Sequence, residues 1–230
     1  MRAYSPACAL LQCVPDGNIA VDNHSSKNMT PSKLLRRVSA SCLLVASALL
    51  AGCASSYVDT ATQEIPVSAM KKVAQPKPVQ LVFEFQTKGA PNPRATEFLK
   101  QAVTDQIKAS GLFSAVGAQG VEGGATLNIA LNNIPLTDDA AAQGFVTGLT
   151  FGLAGSAVTD GYVCTASYLA PGSQSPLVSS AKHAIHTTMG NAGAPANARK
   201  SASTEEAVRT MTREVLSNAL SGLAQNPSFN

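Results

Sequence analysis

The amino-acid sequence predicts an α+β domain: two helices packed on one face of a mixed four- to five-stranded sheet, with a glycine-rich apolar insert. Three observations carry this expectation. Apolar residues alternate with polar ones in strand-like segments over 79–86 and 125–134, and two further strand segments flank a turn at 160–169 and 177–189. Apolar residues recur at helical spacing over 94–110 and again after Ser203. The order that results is β-α-β-β, an insert, then β-β-α.

The first strand, VQLVFEFQ, sets Val79, Leu81, Phe83 and Phe85 on one face. Pro91-Asn92-Pro93 then breaks the chain, with Asn92 suited to cap a helix and Pro93 to its first position. Through RATEFLKQAVTDQIKAS the residues Ala95, Phe98, Leu99, Ala102, Val103 and Ile107 form one apolar stripe, and Gly111 fits the position just past the helix end. Leu112 to Val116 reads as a short strand. In ATLNIALNNI, Leu127, Ile129 and Leu131 point inward. The segments DGYVCTASYL and LVSSAKHAIHTTM flank PGSQS and read as a hairpin with a longer turn. Residues 190–200 are small and polar and read as a mobile loop. The last helix opens on Ser203-Thr204-Glu205-Glu206, a capping box, and Val208, Met211, Val215, Ala219 and Leu223 mark its buried face.

The part of the chain ahead of this domain has a different character. Lys33, Arg36 and Arg37 precede a 13-residue uncharged segment, VSASCLLVASALL, followed by the small residues Ala51 and Gly52 and then Cys53. Basic flank, short apolar run and small residues at a cleavage point are the parts of a secretory signal peptide. A membrane span needs about 20 apolar residues, and this run is shorter. Leu50-Ala51-Gly52-Cys53 resembles the lipobox of bacterial outer-membrane lipoproteins. That resemblance implies cleavage between Gly52 and Cys53 and diacylglyceryl and N-acyl groups on Cys53; apart from these groups no cofactor is expected. Ala54 and Ser55 after the cysteine, with no Asp, imply sorting to the outer membrane of a Gram-negative bacterium. Two or more acyl chains hold a protein stably, at ~0.8 kcal/mol per buried methylene. Met29 begins MTPSKLLRR and gives a 24-residue signal over 29–52, so residues 1–28 are expected to be an upstream mis-start. Residues 53–78, with Pro66, Pro76 and Pro78, read as the lipidated cysteine and a flexible tether of roughly 25–30 Å. Residues 79–225 are expected to be a single periplasmic domain.

The order of elements, together with ASGLFSAV at 109–116, is similar to a group of periplasmic domains that includes the N-terminal domain of the Tol-system propeller protein and several envelope lipoproteins. That resemblance implies an accessory or assembly factor that binds another envelope component. A carrier of a lipid or small apolar ligand in the periplasm is the alternative.

Composition removes some partners. The whole chain has a formal net charge of +3, but residues 1–52 hold five of the 17 cations and two of the 14 acids, leaving twelve of each. No basic excess remains to bind nucleic acid. With Cys53 lipidated, Cys164 is the lone thiol after residue 53, so no disulfide within the mature chain is expected.

GFVTGLTFGLAGSAV, 144–158, places Gly144, Gly148, Gly152 and Gly155 in a repeated G-x-x-x-G pattern, with Phe145 and Leu149 among the larger apolar residues. Small residues four apart let another backbone approach closely. Three readings stand: a segment packed on the domain's own sheet, a surface for self-association or for another envelope protein, or a piece that enters the membrane only within an oligomer. As a helix it would reach only about 22 Å, short of the ~30 Å hydrocarbon core.

Enzymatic chemistry is not expected. His183 and His186 lie three apart in a strand segment and so point to opposite faces, which rules out a shared metal ion. Cys164 sits mid-strand among apolar residues, where a buried structural thiol is the commoner role. Asp138 and Asp139 have no partner constellation. No phosphate-binding glycine loop, nucleophile elbow or H-E-x-x-H motif occurs.

Overall fold

The structure is a computed structural model that describes residues 54–120, 123–136, 157–189 and 193–229. In chain order the elements are β1 (Ser55–Asp59), a 3-10 turn (Val67–Ala69), β2 (Pro78–Thr87), β3 (Ala90–Pro91), α1 (Pro93–Ala109), β4 (Ala115–Gly117), β5 (Ala125–Leu136), β6 (Ala157–Leu169), β7 (Leu177–Thr188), β8 (Ala198–Lys200) and α2 (Thr204–Gln225). The fold is α+β, as the periodicity predicts. The strands form one mixed sheet in the order β3-β2-β5-β6-β7-β1-β8, with β4 paired to β2. β2 runs parallel to β5 and to β4, and the other pairings are antiparallel.

The helices begin and end for local reasons. Asn92 Oδ1 accepts from the Ala95 N–H at 3.1 Å, Pro93 follows at the first position, and Gly111 takes a φ of +68° just past the C-terminus of α1. At α2, Ser203 Oγ accepts from the Glu206 N–H at 3.1 Å, and the Glu206 carboxylate accepts from the Ala202 N–H at 2.8 Å. This is the capping-box exchange with its return arm moved one residue upstream.

The core lies between the sheet and the two helices. Leu99, Val103 and Ile107 of α1 and Met211, Val215, Ala219, Leu220 and Leu223 of α2 meet Leu127, Ile129 and Leu131 of β5 and Cys164, Ala166 and Tyr168 of β6. Burying each of the larger aliphatic side chains contributes about 1.5–3 kcal/mol. The helices also bond to each other, through Gln106 Nε2 donating to the Arg213 carbonyl at 2.7 Å and Arg209 lying over the Phe98 ring at 4.2 Å. Past α2, Phe229 packs edge-on against Tyr168 and Phe113, with ring centroids 4.8 and 5.9 Å away.

Three expectations are corrected here. The sheet has eight strands rather than four to five, because β1, β3 and β8 are two to five residues long and show no period to read; the short strand expected over 112–116 forms as β4, Ala115–Gly117. The segment expected as a tether over 53–78 is docked from Ser55 onward. β1 pairs with β7 from Ser55↔Thr188 to Val58↔Ile185, and Ser56, Tyr57, Val58 and Asp59 are all buried. A strand covered on both faces loses its alternation, so SSYVD reads as polar linker. Beyond it, Gln63 to Ile65 are sutured to α2: Arg213 Nε donates to Glu64 at 2.7 Å, Asn218 to the Gln63 carbonyl at 2.7 Å, and the Ile65 N–H to Ser217 Oγ at 2.9 Å. Within the segment expected to be a mobile loop, Ala198–Lys200 is an edge strand on β1. The folded unit thus runs from Ser55 to Phe229 rather than over 79–225.

Candidate functional site

Gly52, Cys53 and the glycine-rich residues Gly144, Gly148, Gly152, Gly155, Phe145 and Leu149 lie outside the described residues, as do Asp138 and Asp139. The described residues on either side of them are informative. Ser55 opens β1 opposite Thr188 of β7, and Thr188 lies opposite Ala157, the first residue of β6. Leu136, the last residue of β5, pairs with Thr159 of β6. Ser55, Leu136 and Ala157 therefore lie at one end of the sheet.

The two histidines face opposite sides of the sheet, as their spacing requires. His183 points toward α2, and its Nε2 lies 2.8 Å from Glu214 Oε2. Its Nδ1 lies 2.8 Å from the Ala184 backbone nitrogen and 3.2 Å from the Ala184 carbonyl, and its Nε2–H donates to the carboxylate, which can only accept. Glu214 Oε1 accepts from Arg199 Nη2 at 2.9 Å, which ties β8, α2 and β7 together. Burial works against the Glu214 charge, but the hydrogen bonds from His183 and Arg199 outweigh it and hold the carboxyl below the ordinary glutamate value.

His186 faces the other way. Its Nε2 is 3.2 Å from Asp59 Oδ2 and its Nδ1 is 2.9 Å from Thr159 Oγ1, while Asp59 Oδ1 accepts from the Ala61 N–H at 2.7 Å. Hydroxyl, imidazole and carboxylate in a row are the parts of a proton relay. The imidazole and the carboxylate are each about 1% exposed, so a substrate cannot reach them. Their effect is to bind β1 across β7 to β6. Neither network was legible in the sequence, because Asp59 and His186 are separated by 127 residues and His183 and Glu214 by 31. Cys164 is buried on the inner face, and desolvation pushes its thiol up to about 12. Among the described residues, no three His, Cys, Asp or Glu side chains gather where a metal ion could sit, and no helix is long and apolar enough to cross a membrane.

A groove of about 550 Å³ lies between α1 and the open edge of β2. Leu81, Phe83 and Val116 supply its apolar floor. Glu97, Lys100, Gln101, Thr104 and Lys108 stand along the α1 wall. The groove combines residues of three elements, and no stretch of sequence announces it.

No family model matches the chain, and no curated protein matches it. Solved structures overlap loosely. A PelC dodecamer from Paraburkholderia phytofirmans is 13% identical, with 76% of this chain and 99% of that one covered and a TM-score of 0.34. A single-substitution form of the same PelC gives 12% identity, 76% and 99% coverage and a TM-score of 0.33. Overlaps at that level are too loose to carry fold or function from one chain to the other.

Proposed function

We propose that this chain is a lipid-anchored outer-membrane lipoprotein whose domain faces the periplasm and acts without catalysis, as an accessory or assembly factor that binds another envelope component. The observation that supports it best is the start of β1 at Ser55. One residue, Ala54, separates Cys53 from the sheet, at most about 7 Å of chain. With acyl groups on Cys53, the domain lies against the bilayer instead of drifting on a long tether. Its lipid-facing end is then the one where the glycine-rich segment leaves and rejoins the sheet. A partner bound through 144–158, or a second copy bound there, meets the domain at the membrane surface.

Labelling of growing cells with radioactive fatty acid tests the anchor. The parent chain takes up label, and a Cys53→Ser variant loses it and accumulates uncleaved precursor; continued labelling refutes the anchor. A photo-crosslinker placed within 144–158 then tests the partner. A discrete protein adduct supports the accessory reading, and co-purified lipid with no adduct supports the carrier alternative.

A further inference from the structure

Among the described residues, the edge of β2 next to the α1 groove has a gap. On one side β2 is paired with β5 along Val79 to Thr87. On the other side β4 covers only Pro78 to Gln80, and β3 covers only Gln86 and Thr87. Between them, residues 81–85 form an open stretch of about 16 Å. Main-chain groups of alternate residues in a strand point to opposite edges. Phe85 shows which set faces outward: its N–H donates to Thr96 Oγ1 at 2.9 Å and its carbonyl accepts from the Asn92 N–H at 2.8 Å. By the same parity, the Phe83 N–H, the Phe83 carbonyl and the Leu81 carbonyl face the gap.

The fold thus satisfies the outward groups of Phe85 with side-chain and loop partners and leaves those two residues nearer β4 open. An edge strand with free donors and acceptors is a template for another strand. The side chains of Leu81 and Phe83 lie half-buried on the helix side, where the groove would receive every second residue of an added strand. Lys100 and Lys108 rise on its α1 wall against a single acid, Glu97, which lies 4.0 Å from Lys100.

We propose that this gap takes up an extended segment of a partner polypeptide as an added strand, with apolar side chains alternating into the groove and an acidic residue set beside Lys100 and Lys108. The inference deepens the accessory reading and rests on it for the presence of a partner. A strand entering in either direction can make three main-chain hydrogen bonds, to the Phe83 N–H and to the two carbonyls. Each is worth roughly fivefold in affinity.

The test uses the full chain in mild detergent and a blocked octapeptide of alternating valine and threonine with glutamate at both ends. Hydrogen–deuterium exchange is followed in the fragment spanning Pro78–Thr87. The peptide is expected to slow exchange there at least about fivefold. N-methylation of two outward-bonding peptide amides should weaken binding about tenfold or more. Lysine in place of the terminal glutamates, or a Lys100→Glu, Lys108→Glu double variant of the protein, should weaken it about threefold. Equal binding of the N-methylated peptide overturns the proposal. So does protection that rises with protein concentration in the absence of peptide, which would assign the gap to a second copy. Protection by phosphatidylethanolamine–phosphatidylglycerol vesicles but not by peptide overturns it as well. No protection at millimolar peptide, while an adduct still forms through 144–158, sinks the gap and leaves the accessory reading standing.

Discussion

Replacing Glu214 with alanine removes the acceptor on which His183 and Arg199 converge. The consequences differ for the two donors. His183 is fully buried, and its Nε2–H loses the carboxylate 2.8 Å away. An unmade buried donor costs about 1–3 kcal/mol. Arg199 is 57% exposed on its side-chain surface, so water screens that arm and it adds at most about 0.5–1 kcal/mol. The loss should come to about 3 kcal/mol, or about 6–12 °C in the thermal midpoint of a domain of this size. Urea unfolding followed by circular dichroism measures it.

The same carboxylate makes stability depend on pH. His183 and Arg199 hold the folded Glu214 carboxyl below the ordinary glutamate value, against the opposing effect of burial. In the unfolded chain it titrates near ~4.3. Between the two values the unfolded chain binds more protons than the folded one, so stability rises with pH there. The contribution is complete above the ordinary glutamate range and is lost as pH falls through the folded value. The stability gap between parent and Glu214→Gln should therefore shrink from pH 7 toward pH 3. An alanine variant within about 0.5 kcal/mol of the parent at pH 7, or a gap that stays constant through the acid range, would falsify the assignment of this network as a tie between β7, β8 and α2.

Two further outcomes follow from the core. Ile129 is 2% exposed at the middle of β5, and Ile129→Ala should cost about 2–5 kcal/mol, read as a lowered urea midpoint; a cost under about 1 kcal/mol would mean that β5 is not at the centre of the packing. The Cys164 thiol, buried and pushed up to about 12, should resist maleimide at pH 8 until the domain unfolds. The Cys164-containing fragment, read by mass spectrometry, should stay unmodified while denaturant-treated protein is labelled. Rapid labelling without denaturant would show that β6 opens toward solvent.

What could be read from the residues alone was local and periodic. The long strands β2, β5, β6 and β7 and both helices announce themselves because their signals repeat every two residues or along a 3.6-residue spacing. The helix ends are legible for the same reason: Asn92, Pro93, Gly111 and Ser203 act on backbone groups within a few positions of themselves. That His183 and His186 would part company across the sheet followed from strand geometry. The expectation of lipidation at Cys53 rests on the short linear resemblance of Leu50-Ala51-Gly52-Cys53 to a lipobox, which involves no tertiary contact.

Tertiary structure decided everything that depends on encounters between distant residues. SSYVD became a buried strand because β7 and β8 flank it, and nothing within five residues can state that. Asp59 met His186, Glu214 met His183 and Arg199, and the groove beside β2 took its walls from three elements. The open edge at Leu81 and Phe83 exists only because β3 and β4 stop where they do. Side-chain periodicity reports which face of an element meets the core. It carries no information about which edge of a strand is left without a neighbour, since the main-chain groups that make an edge are the same in every residue but proline.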